Sequence, residues 1–264
     1  MEKPLVSVII PTKNSSKTLE ACLESIKNQS YPNVELIVVD NNSVDNTKEI
    51  AKKYTDKVFN FGPERSAQRN FGAKKATGEY LLIHDSDIYF NRDSVKECVE
   101  LAISENCDAI ILPEKSIGIG FWAKVKAYER SFYVGNDYME GARFFKKETY
   151  EKNGGYDEKL YAGEDWDLTI RFKEAGCKIS RAHIFIEHDE GKMSLFGSSQ
   201  KKKYYGPNLF DVYAKKHPEH FKKQMSLFAR FPIKKLAVNI IKHPLMIISM
   251  FFMKGLELIN SAKK

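Results

Sequence analysis

The run His84-Asp85-Ser86-Asp87 follows directly on the apolar stretch Tyr80-Leu81-Leu82-Ile83. Two carboxylates two residues apart at a strand end turn into one cleft when the backbone leaves extended geometry after Asp85. Together they suit a hard divalent cation, Mg2+ or Mn2+, of the kind that holds nucleotide phosphates. Standing alone, such a pair is more often a solvated turn. It does not stand alone, because Val6-Ser7-Val8-Ile9-Ile10 runs into Pro11-Thr12-Lys13-Asn14, and Glu35-Leu36-Ile37-Val38-Val39 runs into Asp40-Asn41-Asn42-Ser43. Three strand ends thus bring polar residues to one sheet edge, which is what a nucleotide site at the carboxyl edge of a parallel sheet requires. Turn chemistry accounts for Asn41, Asn42 and Ser43 by itself, so Asp40 is the stronger candidate of that group. A second constellation is Gly163-Glu164-Asp165-Trp166-Asp167. A helix beginning at Glu164 favours ionised carboxylates in its first turn, and a carboxylate there can accept a hydroxyl proton as a general base. Acids are also ordinary first-turn residues.

The elements that must carry these residues alternate. Strands are expected at residues 5–10, 34–40, 57–61, 79–84 and 109–113, with helices at 16–29, 45–54, 66–76 and 92–105 between them. Such alternation marks an α/β fold, a mostly parallel sheet with helices on both faces. Ser43 and Asp45 are placed to cap the second helix, and Thr77-Gly78 ends the third just before a strand. Beyond Pro113 the pattern loosens into aromatic segments (Phe121, Trp122, Tyr128, Phe132, Tyr133), a strand at 142–146, a helix at 164–175 and a strand at 183–188. This half is expected to recognise a second substrate.

The chain has 264 residues, is 42% hydrophobic and carries net charge +7, a globular composition that excludes disordered, collagenous and coiled-coil classes. The charge is concentrated at one end. Residues 222–264 hold nine basic side chains against Glu257, so this tail carries +8 and the remainder −1. Ile233, Leu236, Ala237, Ile240 and Ile241 follow helical spacing with Lys234, Lys235, Asn239 and Lys242 opposite them, and a second helix opens at Pro244. Its uncharged run, Pro244–Met253, is about half the roughly 20 residues a bilayer span needs, so the tail is expected to lie on a membrane surface. A helix pair packed on the domain is the alternative. The expected organisation is a catalytic domain over residues 1–220 and basic amphipathic helices over 221–264. No signal peptide precedes the first strand, and Cys22, Cys98, Cys107 and Cys177 show no metal spacing, which together point to the cytoplasmic face of a membrane and to reduced thiols.

Four blocks, Val6–Asn14, Glu35–Thr47, Arg65–Asp87 and Gly154–Gly176, make the chain resemble the family 2 glycosyltransferases of GT-A fold over about residues 4–190. The resemblance implies that Pro11, Thr12 and Asn14 line the base and ribose pocket and that Asp40 hydrogen-bonds the base. It puts Arg69 and Asn70 near the ribose, phosphate or sugar, and makes Asp85 and Asp87 the Asp-x-Asp motif, Asp87 being the more direct metal ligand. It makes Asp165, with Glu164, the base, and His188 a third metal or diphosphate contact; a lone strand-end His is equally an ordinary surface residue. Trp166 would stack on an acceptor sugar, or sit in the core. The stretch 191–205, with Lys192, Lys201, Lys202 and Lys203, reads either as a loop closing over a diphosphate or as solvated charge. The implied activity is metal-dependent inverting transfer from a UDP- or GDP-linked sugar to a membrane-presented acceptor. Transfer to a polyprenyl phosphate is the runner-up. A nucleotidyltransferase is disfavoured because Pro11–Lys17 contains no glycine for a phosphate loop. A nucleic-acid module is disfavoured because the tail is as apolar as it is basic.

Overall fold

The computed structural model describes residues 3–195 and 204–261. Its contacts divide the chain into two compact units. One comprises Met1–Pro113, Gly141–Glu158 and Glu164–His188; the other comprises Glu114–Glu140, Lys159–Gly163 and Asp189–Lys264. In chain order the elements are β1 (Val6–Thr12), α1 (Leu19–Lys27), β2 (Val34–Asp40), α2 (Thr47–Lys52), β3 (Val58–Asn60), α3 (Arg65–Lys75), β4 (Tyr80–Ile83), β5 (Ile88–Tyr89), α4 (Ser94–Ser104), β6 (Ala109–Ile111), β7 (Glu114–Ile119), α5 (Phe121–Ser131), β8 (Phe144–Lys146), α6 (Lys147–Lys152), α7 (Glu164–Glu174), β9 (Ile179–Arg181) and β10 (Ile186–Lys192).

The first unit is built on a seven-stranded sheet of order β3-β2-β1-β4-β8-β6-β9. Strand β8 alone runs antiparallel, between β4 and β6. All seven residues of β1 are buried, the polar Ser7 and Thr12 included, as helices covering both faces of a parallel strand require. On one face Val6, Val8 and Ile10 pack with Leu19, Leu23 and Ile26 of α1 and Val95 and Val99 of α4. On the other, Ile9 packs with Ile37, Val39, Ala73 of α3 and Leu168 and Phe172 of α7. The register sets Thr12 beside Asp40 and Asp40 beside Asn60, so the carboxyl ends of β1, β2 and β3 finish level. With β2 on one flank of β1 and β4 on the other, chain order reverses at β1, the switch point where such sheets hold ligands.

Glu35 on β2 pins the entry to β4. Its carboxylate accepts from Ser7, from the Thr77 and Gly78 backbone and from Lys57. A Cβ on Gly78 would lie 2.6 Å from both the Leu5 carbonyl and Ser7 Oγ, so only glycine fits there. Asp45 anchors the start of α2 through the Thr47 N–H at 3.1 Å. The expected cap from Ser43 is not made, because its hydroxyl is spent on Asp40.

The second unit has its own core of Val125, Phe132, Phe231, Ile247, Met250 and Met253. Inside it Lys126 and Lys254 pair with Glu129 and Glu257, joining α5 to the helix Pro244–Ser261. The expected division at residue 220 therefore differs from the observed one: the tail is part of a unit that also includes α5. Pro244–Ser261 packs one face and exposes Leu245, Ile248, Phe252, Leu258 and Ile259, while Ile233–Lys242 buries no residue. No described helix is long and apolar enough to cross a membrane. The expected strand at 183–188 begins later and continues through Lys192, where a loop was expected; Lys201, Lys202 and Lys203 lie outside the described residues. All four cysteines are free thiols.

Candidate active site

The site is built from the ends of β1, β2 and β4, the first turns of α3, the segment entering β8 and the start of α7, all in the first unit. Its centre is Arg69. The guanidinium is fully buried, with Nη2 2.6 Å from Asp85 Oδ1 and Nη1 3.0 Å from Glu164 Oε1 and 3.3 Å from Asp165 Oδ1. It lies 4.9 Å above the Tyr156 ring. Arg65, one turn earlier on α3, reaches Asp85 Oδ2 at 3.4 Å and Glu164 Oε1 at 3.6 Å. Arg143 bonds Asp165 Oδ1. Three arginines thus gather three carboxylates that are 16 to 96 residues apart in sequence from Arg69.

These environments drive the carboxylates apart. Burial disfavours the charge on Asp85, but Arg69, Arg65 and Arg143 outweigh it and hold the group well below the usual carboxylate range. Glu164 is likewise lowered, with Arg65 and Arg69 overcoming burial. Burial wins at Asp165, whose carboxyl is raised despite Arg143 and Arg69. Two acids on one helix turn, one firmly ionised and one shifted upward, are the pattern that marks a proton-transfer group.

The expected ligand set of Asp85, Asp87 and His188 is not assembled as expected. Both Asp85 oxygens face arginines, and among the described residues no three His, Cys, Asp or Glu side chains form a ready metal site. Asp87 does keep a buried Oδ1 with no hydrogen-bond partner, and its Oδ2 stands 3.5 Å from His188 Nε2. The pairing of β5 with β10 sets His188 opposite Ile88, next to Asp87. An unpartnered carboxylate oxygen beside an imidazole fits a divalent cation.

Asp40 and Asn70, both expected at the donor, make hydrogen bonds within the protein. Asp40 is fully buried and accepts from Thr12 Oγ1 at 3.0 Å, the Ser43 N–H at 2.8 Å and the Ser43 hydroxyl. These bonds tie the ends of β1 and β2 together. Asn70 donates to the Tyr156 carbonyl at 2.9 Å and Glu158 at 3.0 Å, and accepts from Tyr150 and the Tyr156 N–H, so its amide is fully committed to fastening residues 150–158. Pro11 and Thr12 are buried at the end of β1. Asn14 is exposed at φ 50°, its backbone N–H donating to Ser43 and its side chain accepting from the Val44 N–H at 2.9 Å. Trp166 is half-buried beside Asp165.

Arg65 and Arg143 escaped sequence reasoning. The spacing of Arg65 and Arg69, one helical turn apart at a helix start, was the available signal for the first. Arg143 had none, because its partner is 22 residues away.

A model of glycosyl transferase family 2 matches residues 7–159, more than half of the chain. The chain belongs to this family. Residues 126–193 of this family 2 member also match a model described as the N-terminal domain of galactosyltransferase. An uncharacterised glycosyltransferase of Rickettsia typhi is 30% identical over 204 residues, covering 70% of this chain and 62% of that protein's length. Among solved structures, the mannosyltransferase PcManGT of Pyrobaculum calidifontis, in complex with GDP-Man and Mn2+, superposes with TM-score 0.70 at 17% identity over 99% of this chain and 87% of that one. TarS residues 1–349 of Staphylococcus aureus, in complex with UDP-GlcNAc, gives TM-score 0.58 at 22% identity over 78% of this chain and 66% of that one. The fold of this family 2 chain is therefore the GT-A arrangement.

Proposed function

We propose that the chain transfers a sugar, with inversion, from a UDP- or GDP-linked donor to a hydroxyl of an acceptor presented at the cytoplasmic face of a membrane, such as a polyprenyl- or dolichyl-linked glycan or a glycolipid. The observation that carries this reading is Asp165. It lies in the first turn of α7 with its carboxyl raised by burial, in a cluster shared with Asp85 at the carboxyl edge of β4. As the acceptor oxygen bonds the anomeric carbon and the bond to the diphosphate breaks, Asp165 takes the hydroxyl proton. Glu164, ionised by Arg65 and Arg69, keeps the arginines in place. Arg65, about one third exposed at the rim of the cluster, is available to a diphosphate oxygen. A divalent cation held by Asp87 and His188 would neutralise charge on the leaving diphosphate. Positioning and electrostatics supply most of the rate in such a site.

Donor class is supported by the GDP-Man and UDP-GlcNAc complexes of the structural neighbours. Membrane presentation is supported by the exposed apolar residues and lysines of the two C-terminal helices. A polyprenyl phosphate acceptor would already be ionised, and the Asp165 carboxylate favours a hydroxyl instead. Calorimetric titration of UDP and GDP, with and without Mn2+, into the wild type and Asp87→Ala tests the donor site. Metal-dependent binding of one nucleotide, lost in the variant, is the expected outcome; absence of binding by both would overturn sugar-nucleotide chemistry.

A further inference from the structure

Asp165 is held from one side. Arg143 and Arg69 both address Oδ1, whereas Oδ2 accepts no hydrogen bond among the described residues. The segment bearing Arg143 is itself rigidly placed. The Arg143 N–H donates to the Ile110 carbonyl at 3.1 Å, and its carbonyl accepts from Ile83 at 2.9 Å, wedging it between β6 and the end of β4. The Ala142 N–H donates to Thr169 Oγ1 at 2.9 Å, and that hydroxyl donates to the Asp165 carbonyl at 2.7 Å. Gly141 lies against the same residue: a Cβ there would be 2.9 Å from Asp165 Cβ and 3.0 Å from its carbonyl oxygen.

We propose that Gly141-Ala142-Arg143 is a positioning element for the catalytic base, in which Arg143 fixes the Asp165 carboxylate by Oδ1 so that Oδ2 alone receives the acceptor proton. The inference rests on Asp165 being the base. In the step it serves, the acceptor oxygen forms its bond to the anomeric carbon, its proton passes to Oδ2, and the electron pair of the broken bond leaves on the diphosphate. Arg69 touches the same oxygen but shares its charge with Asp85 and Glu164; Arg143 is the cation that approaches from the β8 side. The charged and titratable groups facing Asp165 are Arg69 from α3, Arg143 ahead of β8, Asp85 after β4, Glu164 on its own helix, Tyr150 on α6 and Tyr156.

The test uses the full chain as wild type, Arg143→Met, Arg143→Lys, Gly141→Ala and Asp165→Asn. Carboxyl carbon NMR across pH follows Asp165, its resonance identified by its loss in Asp165→Asn, and needs no substrate. Release of nucleotide from UDP-GlcNAc or GDP-mannose supplies kcat and KM. In Arg143→Met the Asp165 midpoint should rise by about one pH unit. Its kcat should fall about 10- to 100-fold with donor KM unchanged, and Arg143→Lys should restore part of both. Gly141→Ala should lower kcat in the same way, and with Arg143→Lys it carries the test if Arg143→Met does not fold. An unchanged Asp165 midpoint in a folded Arg143 variant overturns the proposal. Normal turnover in Arg143→Met alongside an inactive Asp165→Asn overturns positioning alone, whereas retained transfer by Asp165→Asn overturns the base reading beneath it.

Discussion

Arg69 is where the chemistry of single residues departs furthest from its expected role. Placed by resemblance near a ribose or phosphate, it is instead fully buried beneath three carboxylates and stacked on Tyr156. Removing one member of a buried ionic cluster leaves uncompensated charge, typically at about 3–5 kcal/mol. Arg69→Met should therefore lower unfolding stability by that order in urea melts, and Arg69→Lys should not rescue it, since one ammonium cannot fork to both Asp85 and Glu164. Asp165→Asn is the contrasting case. It keeps size and hydrogen bonding, so nucleotide binding by calorimetry should stay within about twofold while transfer falls by at least about 100-fold. Asp85, Asp87 and Asp165 were legible in the sequence because strand ends and helix starts are local features. The roles of Asp40 and Asn70 were not, because whether a polar side chain faces a ligand or the protein depends on partners such as Tyr150 and Tyr156, which are remote in sequence.

Among the elements, β2 carries a constraint that its apolar sequence did not suggest. Burial alone would raise Glu35, but Lys57, Ser7 and Thr77 together hold it down, to about 2. A carboxyl depressed in the folded state stabilises above its unfolded value and loses that contribution as pH falls toward the folded one. The window here runs from the ordinary value of 4.5 down to about 2. After allowance for solvent screening the contribution at neutral pH is about 1–2 kcal/mol. Glu35→Gln should be destabilised by that amount at pH 7, with the difference from wild type shrinking as pH approaches 2, measured by denaturant unfolding at a series of pH values. The strands β1, β2 and β4 and helices α1, α3, α4 and α7 were readable from periodicity. The pieces β5, β7, β9 and α6 were not, since none of them carries an apolar run or repeat of its own, and the helix α5 was left unassigned within the aromatic stretch beyond Pro113.

For the molecule as a whole, the helix Ile233–Lys242 is amphipathic as its spacing required, while Pro244–Ser261, apolar on both its packed and its exposed face, also closes a core. Removing residues 230–264 would take Phe231, Ile247, Met250 and Met253 out of the second unit, so truncation confounds membrane binding with unfolding. Substitutions on the exposed face separate the two. Ile241→Glu with Ile248→Glu and Phe252→Glu, at residues 84%, 67% and 56% exposed, should abolish sedimentation with vesicles containing about one third phosphatidylserine while leaving thermal unfolding unchanged. Unchanged sedimentation would remove the membrane from the proposed reaction.

The sequence by itself determined the order of most strands and helices, the level carboxyl edge with its acidic residues, and the amphipathic spacing of Ile233–Lys242. Periodicity, capping and strand-end chemistry are written in neighbouring residues. Only the tertiary structure decided that Arg65, Arg69 and Arg143 converge on Asp85, Glu164 and Asp165, that Asp40 and Asn70 point inward, and that one tail helix packs on α5. Each of these depends on which distant side chain supplies the opposite charge, the donor or the apolar surface, and burial makes that choice only when the chain is folded.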